Sequence, residues 1–221
     1  MKKWFTMMAL ALCALTLTAY GGGAPAKSSG ASAAPKTETA KKDAAPAGKR
    51  ALVVYFSRAD ENYNVGVIEK GNTRILAEMI AEATGADTFE IVPAKPYPKE
   101  YTPATEVAKK EKNENARPEI VGTMPDVSGY DMIFLGYPIW WGDLPMPCYT
   151  FFGKVKLEGK TIAPFCTHEG SGLSGTDGYI ANATKAKVTE ALVMTGTTAQ
   201  KSRDEAKKEV SAWLKKLGYG K

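Results

Sequence analysis

The first segment whose residue types could do chemistry is residues 57–73, and these residue types are typical of a phosphate-binding site. It begins with Ser57 and Arg58, directly after an apolar run, and ends in Gly71-Asn72-Thr73, where Gly71 permits a tight turn and Asn72 is predicted as the helix N-cap. The free N–H groups and partial positive charge of a helix N-terminus favour a phosphate. The chain has no Walker A sequence and no G-x-G-x-x-G, so the predicted cradle is of another kind. The alternative is a purely structural N-cap.

A second segment, residues 136–147, could provide a wall for a flat ring. It contains the adjacent pair Trp140 and Trp141, with prolines on either side, just past a predicted buried strand. Neighbouring side chains cannot both point to one face of a regular element. We therefore predict an aromatic wall at this position. The alternative is that both rings cover the edge of the sheet.

A third segment, residues 167–175, is rich in glycine, and glycines let backbone N–H groups approach a ligand closely. No G-x-S-x-G sequence is present, which argues against a serine hydrolase. Cys166 and His168 could form a nucleophilic pair in principle. However, Cys166 ends an apolar run, so we predict that it is a small buried side chain, and we expect the same of Cys148.

Composition excludes several other classes of site. The chain of 221 residues has three Cys and one His. Three cysteines rule out a disulfide scaffold. A single histidine rules out any site that needs two, including most catalytic zinc sites, and we predict no metal site.

The net charge of +5 is unevenly distributed along the chain. Residues 1–50 hold eight Lys or Arg and two Asp or Glu, a net charge of +6. The rest of the chain holds 21 basic and 22 acidic residues, a net charge of −1. The folded part therefore has no charge that favours nucleic acid, and we predict no nucleic-acid partner.

Residues 1–20 have the pattern of an export signal, with Lys2 and Lys3 before an uncharged run. Their end resembles a bacterial lipoprotein cleavage box, but Tyr20 stands where that box has the lipid-accepting Cys. Residues 21–50 lack large apolar side chains, so we predict a disordered tether. These features predict an exported, extracytoplasmic protein. Cleavage would release it, and an uncleaved signal would leave a weak membrane anchor, with peripheral membrane association through the N-terminus.

The remaining segment, residues 51–219, alternates apolar runs with helical patterns. A parallel sheet covered by helices on both faces is predicted, and such sheets bind ligands at the carboxyl ends of their strands. The segments described above follow the first, third and fourth strands. The predicted strands are 51–56, 88–92, 131–136, 161–166 and 188–194, and the predicted helices are 73–83, 99–114, 147–152, a weak one ending near 184, and 202–217.

Four short sequences resemble the flavodoxin-like FMN proteins, in particular a bacterial group with a Tyr-Pro-Ile-Trp-Trp-Gly loop. The resemblance covers residues 51–218. It implies an α/β fold with a flavodoxin-like, doubly wound, five-stranded parallel sheet of order 2-1-3-4-5 in three layers, and FMN as the cofactor. The sequences are Val53-Val54-Tyr55-Phe56-Ser57-Arg58, Gly71-Asn72-Thr73, Tyr137-Pro138-Ile139-Trp140-Trp141-Gly142 and Pro164-Phe165-Cys166-Thr167-His168.

The resemblance also implies a role for each segment. The first would hold the FMN phosphate, the second would line the isoalloxazine with one Trp stacked on it, and the third would face the polar edge of the ring. The implied cofactor-binding residues are Ser57, Arg58, Asn72, Thr73, Tyr137, Pro138, Ile139, Trp140, Trp141, Thr167, His168, Gly170, Ser171 and Gly172.

Two features depart from the pattern. The first segment contains an insertion, residues 59–70, and Glu169 stands where the pattern more often has Gly. A carboxylate near the reduced, anionic flavin would disfavour reduction, unless Glu169 points to solvent.

Three functions are compatible with this reading. The favoured one is an exported FMN protein that exchanges electrons with a redox partner protein or a small electron acceptor. The second is an FMN-dependent NAD(P)H:quinone-type oxidoreductase, in which residues 59–70 frame the substrate and His168 or Tyr137 assists proton transfer. The third is a non-catalytic tethered domain that binds a partner through an exposed apolar patch formed by Trp140 and Trp141.

Overall fold

The computed structural model describes residues 50–219, and the predicted export signal and nearly all of the predicted tether lie outside them and stay predictions. Strands and helices alternate along the described chain. In order they are β1 (Ala51–Tyr55), β2 (Asp60–Asn62), β3 (Gly66–Ile68), α1 (Asn72–Thr84), β4 (Asp87–Glu90), β5 (Val92–Pro93), α2 (Tyr101–Asn113), β6 (Ile120–Val121), β7 (Met132–Pro138), α3 (Met146–Lys154), β8 (Thr161–His168), α4 (Thr176–Thr184), β9 (Lys187–Val188), β10 (Leu192–Thr195), α5 (Gly196–Lys201) and α6 (Arg203–Lys216).

The central sheet has the predicted architecture. Its strands run parallel in the order β4-β1-β7-β8-β10, which is the 2-1-3-4-5 order. The doubly wound α/β fold is therefore confirmed. One detail differs, because the fifth predicted strand is interrupted: β9 pairs with the start of β8 and β10 with its end. Between them, the carbonyl of Glu190 accepts a hydrogen bond from Trp213 Nε1 of α6 at 2.9 Å instead of continuing the strand.

The strands are buried on both faces because alternate side chains point to opposite sides of the sheet. All five residues of β1 are buried. One face of the sheet packs on α1 and α6 through a cluster that includes Val53, Phe134, Phe165, Leu76, Ile80, Val210 and Trp213. The other face packs on α3 and α4 through a cluster that includes Leu52, Val54, Ile133, Ile162, Phe151 and Ile180. This gives the three predicted layers.

Several short elements escaped the sequence analysis. The insertion at residues 59–70 folds as the antiparallel hairpin β2–β3, β5 and β6 form a two-stranded ribbon, and α5 follows β10 directly. Each of these strands has only two or three residues, too few to show a period in the sequence.

Arg50 fixes the point at which the described chain joins the sheet. Its N–H donates to Asp131 Oδ2 at 3.0 Å, and its carbonyl accepts from the N–H of Asp131 at 2.8 Å. The guanidinium lies 4.7 Å from the centre of the Tyr130 ring and 3.8 Å from Asp87 Oδ2. The start of β1 is thus attached to the residues that precede β7 and to the first residue of β4.

Across residues 50–219, none of the helices is both long and apolar enough to cross a membrane.

Because Gly136 lies in close contact with a neighbouring strand, we expect that adding one methyl group there strongly lowers the stability of the fold. A Cβ at Gly136 would overlap the ring of Phe165 on the neighbouring strand, whereas a Cβ at Gly153, on the exposed side of α3, would meet open space. We expect Gly136→Ala to lower the free energy of unfolding by about 2 to 3 kcal/mol through overpacking. The control, Gly153→Ala, should raise it by about 0.5 to 1 kcal/mol. Urea unfolding measures both, and equal effects would contradict this packing.

Candidate functional site

A cleft of about 510 Å³ lies at the carboxyl ends of β1, β7 and β8. All three segments identified in the sequence contribute to it, because parallel strands end at a common edge of the sheet. The lining residues are Arg58, Asn62, Tyr63, Asn72, Tyr101, Ala104, Thr105, Ala108, Pro138, Ile139, Trp140, Trp141, Gly142, Thr167, His168, Glu169 and Ser171.

The cleft separates the predicted site residues into two groups. Those that line it are Arg58, Asn72, Pro138, Ile139, Trp140, Trp141, Thr167, His168 and Ser171. Those outside its lining are Ser57, Thr73, Tyr137, Gly170 and Gly172.

The N-terminus of α1 lies at the edge of the cleft. Gly71, not Asn72 as expected, is its N-cap, and a Cβ there would overlap Ser57 Oγ and the carbonyl of Arg58. Ser57 Oγ accepts the N–H of Arg74 at 3.0 Å. The N–H groups of Asn72 and Thr73 have no acceptor among residues 50–219, and the first turn holds no acidic residue. This end of the helix can therefore bind an anion.

Three predicted site residues, Thr73, Thr167 and Tyr137, are buried, and only Thr167 among them lines the cleft. Thr73 Oγ1 and Thr167 Oγ1 form a hydrogen bond of 2.8 Å that joins α1 to β8. Tyr137 is fully buried, and its hydroxyl bonds with Thr176 Oγ1 at 2.8 Å. Burial raises the pKa of the Tyr137 hydroxyl well above its ordinary value. The suggested role of Tyr137 in lining the ring and moving a proton there is therefore wrong.

Arg58 lines the cleft but is largely occupied in holding its wall. Its guanidinium donates to the carbonyls of Pro98 and Lys99, both at 2.6 Å, and to that of Glu61 on β2. Burial lowers the pKa of Arg58, with nearby carboxylates opposing the effect. Its Nε is buried and has no partner within the described chain. Arg58 thus connects the hairpin to the segment before α2.

Trp140 and Trp141 point in different directions. A tight turn joins Trp140 to Asp143 through hydrogen bonds of 2.9 and 3.1 Å, with positive φ at Trp141 and Gly142 (54° and 73°). The ring of Trp140 packs edge-on against Phe56, with centroids 5.2 Å apart. The ring of Trp141 turns to α2, donates Nε1–H to the Thr105 carbonyl at 2.9 Å, and remains half exposed. Each ring gives the cleft a separate aromatic surface.

The glycine amides of the third segment turn inward. Nδ1 of His168 accepts the N–H of Gly170 at 2.9 Å and that of Gly172 at 3.2 Å. Positive φ values of 112° and 62° at these glycines permit this close turn. The prediction that both amides face a ligand is therefore wrong, because a side chain of the same loop already uses them.

Glu169 neither points freely to solvent nor stands alone in the cleft. Its carboxylate accepts the N–H of Thr197 at 2.6 Å, the Thr197 hydroxyl at 3.1 Å, and Asn64 Nδ2 at 3.1 Å. Asn64 lies in the turn of the hairpin β2–β3, and Thr197 lies in the first turn of α5. Glu169 therefore holds together three segments at one side of the cleft.

The two cysteines in the described region are buried. Burial raises the pKa of the Cys166 thiol to about 12 and that of Cys148 further still. Neither is a thiolate at neutral pH, which agrees with the prediction of packing and opposes a nucleophilic pair with His168.

The contribution of α2 to the cleft was missed in the sequence. Tyr101, Ala104, Thr105 and Ala108 of this helix line the cleft, as do Asn62 and Tyr63 of the insertion that was expected to frame a substrate, and Gly142. Two small residues four positions apart, Ala104 and Ala108, are the buried positions of an otherwise polar helix, and that spacing was the available signal.

The sequence model of a family described as Flavodoxin matches residues 50–217. The chain belongs to the flavodoxin family.

Three solved structures are similar to this chain. One, a proposed flavoprotein from Bacteroides eggerthii, is 27% identical with a TM-score of 0.60, covering 77% of this chain and 99% of that one. Another, from Bacteroides uniformis, is 26% identical with a TM-score of 0.58, covering 76% and 99%. The third, a flavoprotein of Lactobacillus acidophilus in complex with FMN, is 20% identical with a TM-score of 0.54, covering 70% and 98%, and shows the fold alone. Among proteins with curated descriptions, none matches this chain.

The three partners of Glu169 predict that its loss loosens the hairpin. We expect Glu169→Ala to lower the free energy of unfolding by about 1 to 2 kcal/mol and to speed hydrogen exchange in residues 60–68. The control is Glu190→Ala, whose carboxylate pairs with Lys216 at 3.2 Å where both side chains are well exposed. That loss should stay below about 0.5 kcal/mol. Similar results for the two variants would contradict the bracing role of Glu169.

Proposed function

We propose that this flavodoxin-family protein binds FMN in the cleft and transfers electrons to or from a redox partner protein or a small acceptor. The observation that carries the proposal is the shared cleft, where the open N-terminus of α1 and the aromatic surfaces of Trp140 and Trp141 meet. These are the two kinds of group that a phosphorylated flat ring requires.

The phosphate would lie at the N-terminus of α1. The free N–H groups of Asn72 and Thr73 would donate to its oxygens. Because Ser57 Oγ already accepts the N–H of Arg74, its own hydrogen is free for the phosphate. Arg58 also lines the cleft, and its guanidinium charge would favour the phosphate dianion.

The ring would lie against the second and third segments. Pro138, Ile139 and the two tryptophans supply apolar surface, while Thr167, His168 and Ser171 supply polar groups at the opposite side. The Lactobacillus acidophilus flavoprotein, which shares the fold, is in complex with FMN, and this supports FMN over other flavins.

When bound, FMN supplies one-electron and two-electron redox chemistry, and the protein sets its exposure and potential. Glu169 contributes one negative charge to the lining, although its carboxylate is held by Asn64 and Thr197. The negative charge of Glu169 would repel the reduced, anionic form of FMN more than the oxidised form. We therefore infer that Glu169 favours the oxidised form of the bound cofactor.

Comparison of FMN with riboflavin, which lacks the phosphate, tests the proposed cradle. We expect FMN to bind about 100-fold more tightly, as two or three charge-assisted hydrogen bonds would provide. Ser57→Ala should weaken FMN binding about 5-fold to 10-fold and leave riboflavin binding unchanged. Quenching of flavin and tryptophan fluorescence gives both dissociation constants. Equal affinities for the two flavins would refute the phosphate cradle, and binding of neither would refute the proposed function.

A second candidate function is supported by the outer end of the cleft. Tyr63 and Tyr101 stack with ring centroids 5.8 Å apart and planes tilted by 30°, yet they stay 55% and 37% exposed. Beside them, Ala104 and Ala108 keep the wall of α2 flat. Exposed aromatic rings around one cleft favour a second flat molecule next to the flavin, as an NAD(P)H:quinone-type oxidoreductase would require.

Substitution of two tyrosines, one inside and one outside the cleft, distinguishes this enzyme from a simple electron carrier. Tyr101→Ala should raise the KM for a quinone about 5-fold during NADPH oxidation without changing FMN affinity. Tyr179→Ala is the matched control, because that ring is also exposed but lies on α4, outside the lining of the cleft. If the FMN-loaded protein shows no turnover with NADPH and quinone, the enzyme function is eliminated and the carrier remains.

A further inference from the structure

His168 is the last residue of β8 and the only histidine of the chain. It lines the cleft, and its two ring nitrogens have different surroundings. Nδ1 faces its own loop and accepts two backbone N–H groups, from Gly170 and Gly172. Nε2 has no hydrogen-bond partner among the residues that the structure describes.

This arrangement selects one form of the imidazole. A nitrogen that accepts hydrogen bonds cannot carry a hydrogen of its own, so Nδ1 is bare. A neutral imidazole has a single N–H, which must then be on Nε2. Protonation would place a hydrogen on Nδ1, directly facing two N–H donors, and both hydrogen bonds would be lost.

The charged groups near the ring do not reverse this preference. Burial lowers the pKa of His168, and the adjacent Glu169 opposes that shift. The Glu169 carboxylate accepts hydrogen bonds from Thr197 and Asn64, and within the described part of the chain it accepts none from the ring. Arg58 is the other charged residue that lines the cleft, and its guanidinium is bonded to the carbonyls of Glu61, Pro98 and Lys99.

We propose that the amides of Gly170 and Gly172 hold His168 as a neutral imidazole, which presents Nε2–H to the cleft as a fixed hydrogen-bond donor. The matching group on a ligand is a carbonyl oxygen or an unprotonated ring nitrogen, both of which a flavin ring carries. His168 is thus a positioning residue and not a carrier of protons. Its contact with FMN rests on the proposed function, whereas the form of the imidazole does not.

Nitrogen NMR of the full chain, labelled with ¹⁵N-histidine and free of a histidine tag, tests the form of the ring directly. A single histidine gives one pair of imidazole signals. We expect a protonated Nε2 and a bare Nδ1, well separated at neutral pH, and a midpoint of protonation below that of a free imidazole, because burial lowers the pKa of His168. A midpoint near the ordinary value of about 6.5, or a hydrogen on Nδ1, would overturn the proposal.

Two substitutions then test the donor. In His168→Asn, the amide oxygen takes the place of Nδ1 and can keep the Gly170 and Gly172 bonds, but the Nε2–H is lost. We expect about five-fold weaker FMN binding, the effect of one hydrogen bond, with the amide signals of both glycines unchanged. In His168→Gln, an N–H returns near the position of Nε2, and most of the affinity should return with it.

The outcomes distinguish this inference from the proposed function. If His168→Asn binds FMN as tightly as the unsubstituted chain, the donor role is wrong even though FMN binds. If the unsubstituted chain binds no FMN, the proposed function fails, and the NMR measurement still decides whether the imidazole is held neutral. If His168→Asn also shifts the glycine amide signals, recovery of affinity in His168→Gln supports the donor, and failure to recover refutes it.

Discussion

Burial of the sheet on both faces is the constraint from which the rest of the structure follows. β1, β7 and β8 are covered by helices on both sides, which requires each strand to be apolar through its middle, and so their polar residues fall at or beyond their ends. The parallel order places those ends at one edge. Three segments far apart in the sequence therefore meet in one cleft.

The second level of order is the bracing of these segments by one another. Arg58 binds carbonyls forty residues away, Glu169 holds the hairpin turn and α5, and His168 holds its own glycine loop. These charged and titratable side chains thus form most of their hydrogen bonds with other groups of the protein. The donors that remain free are few and fixed in position. A ligand that binds them therefore loses little free energy to immobilising side chains.

The sequence predicted the architecture well because its signals are local. Apolar runs and helical periods depend on neighbouring residues, and the order of the strands came with the resemblance to flavodoxins. The predicted strand at 188–194 was interrupted because Trp213, on a different element, binds the carbonyl of Glu190. No pattern near residue 190 contains that information.

Within the site, the sequence located the segments but not the direction of each group. Residue type predicted an aromatic wall and a helix N-terminus, and both are present. The N–H groups of Gly170 and Gly172 bond to His168 because of the way the chain turns after β8. The hydroxyl of Tyr137 bonds to Thr176, which lies on a different element, α4. The contribution of α2 was missed because Tyr101, Ala104 and Ala108 line the cleft only once the helix has packed beside the hairpin, where Tyr101 contacts Tyr63. Bracing between segments is a tertiary property, and for that reason it was the least predictable.

The position of Arg50 also has a mechanical consequence. It leads directly into β1, which has a strand on each side, and it is bonded to the residue before β7. A pull on the chain that precedes it acts along the axis of a central strand. Such a load falls on the hydrogen bonds of both ladders at once, in shear, instead of opening them one by one as at an edge strand. Tension from the N-terminal side would therefore meet the most resistant part of the fold, far from the cleft at the opposite end of the same strand.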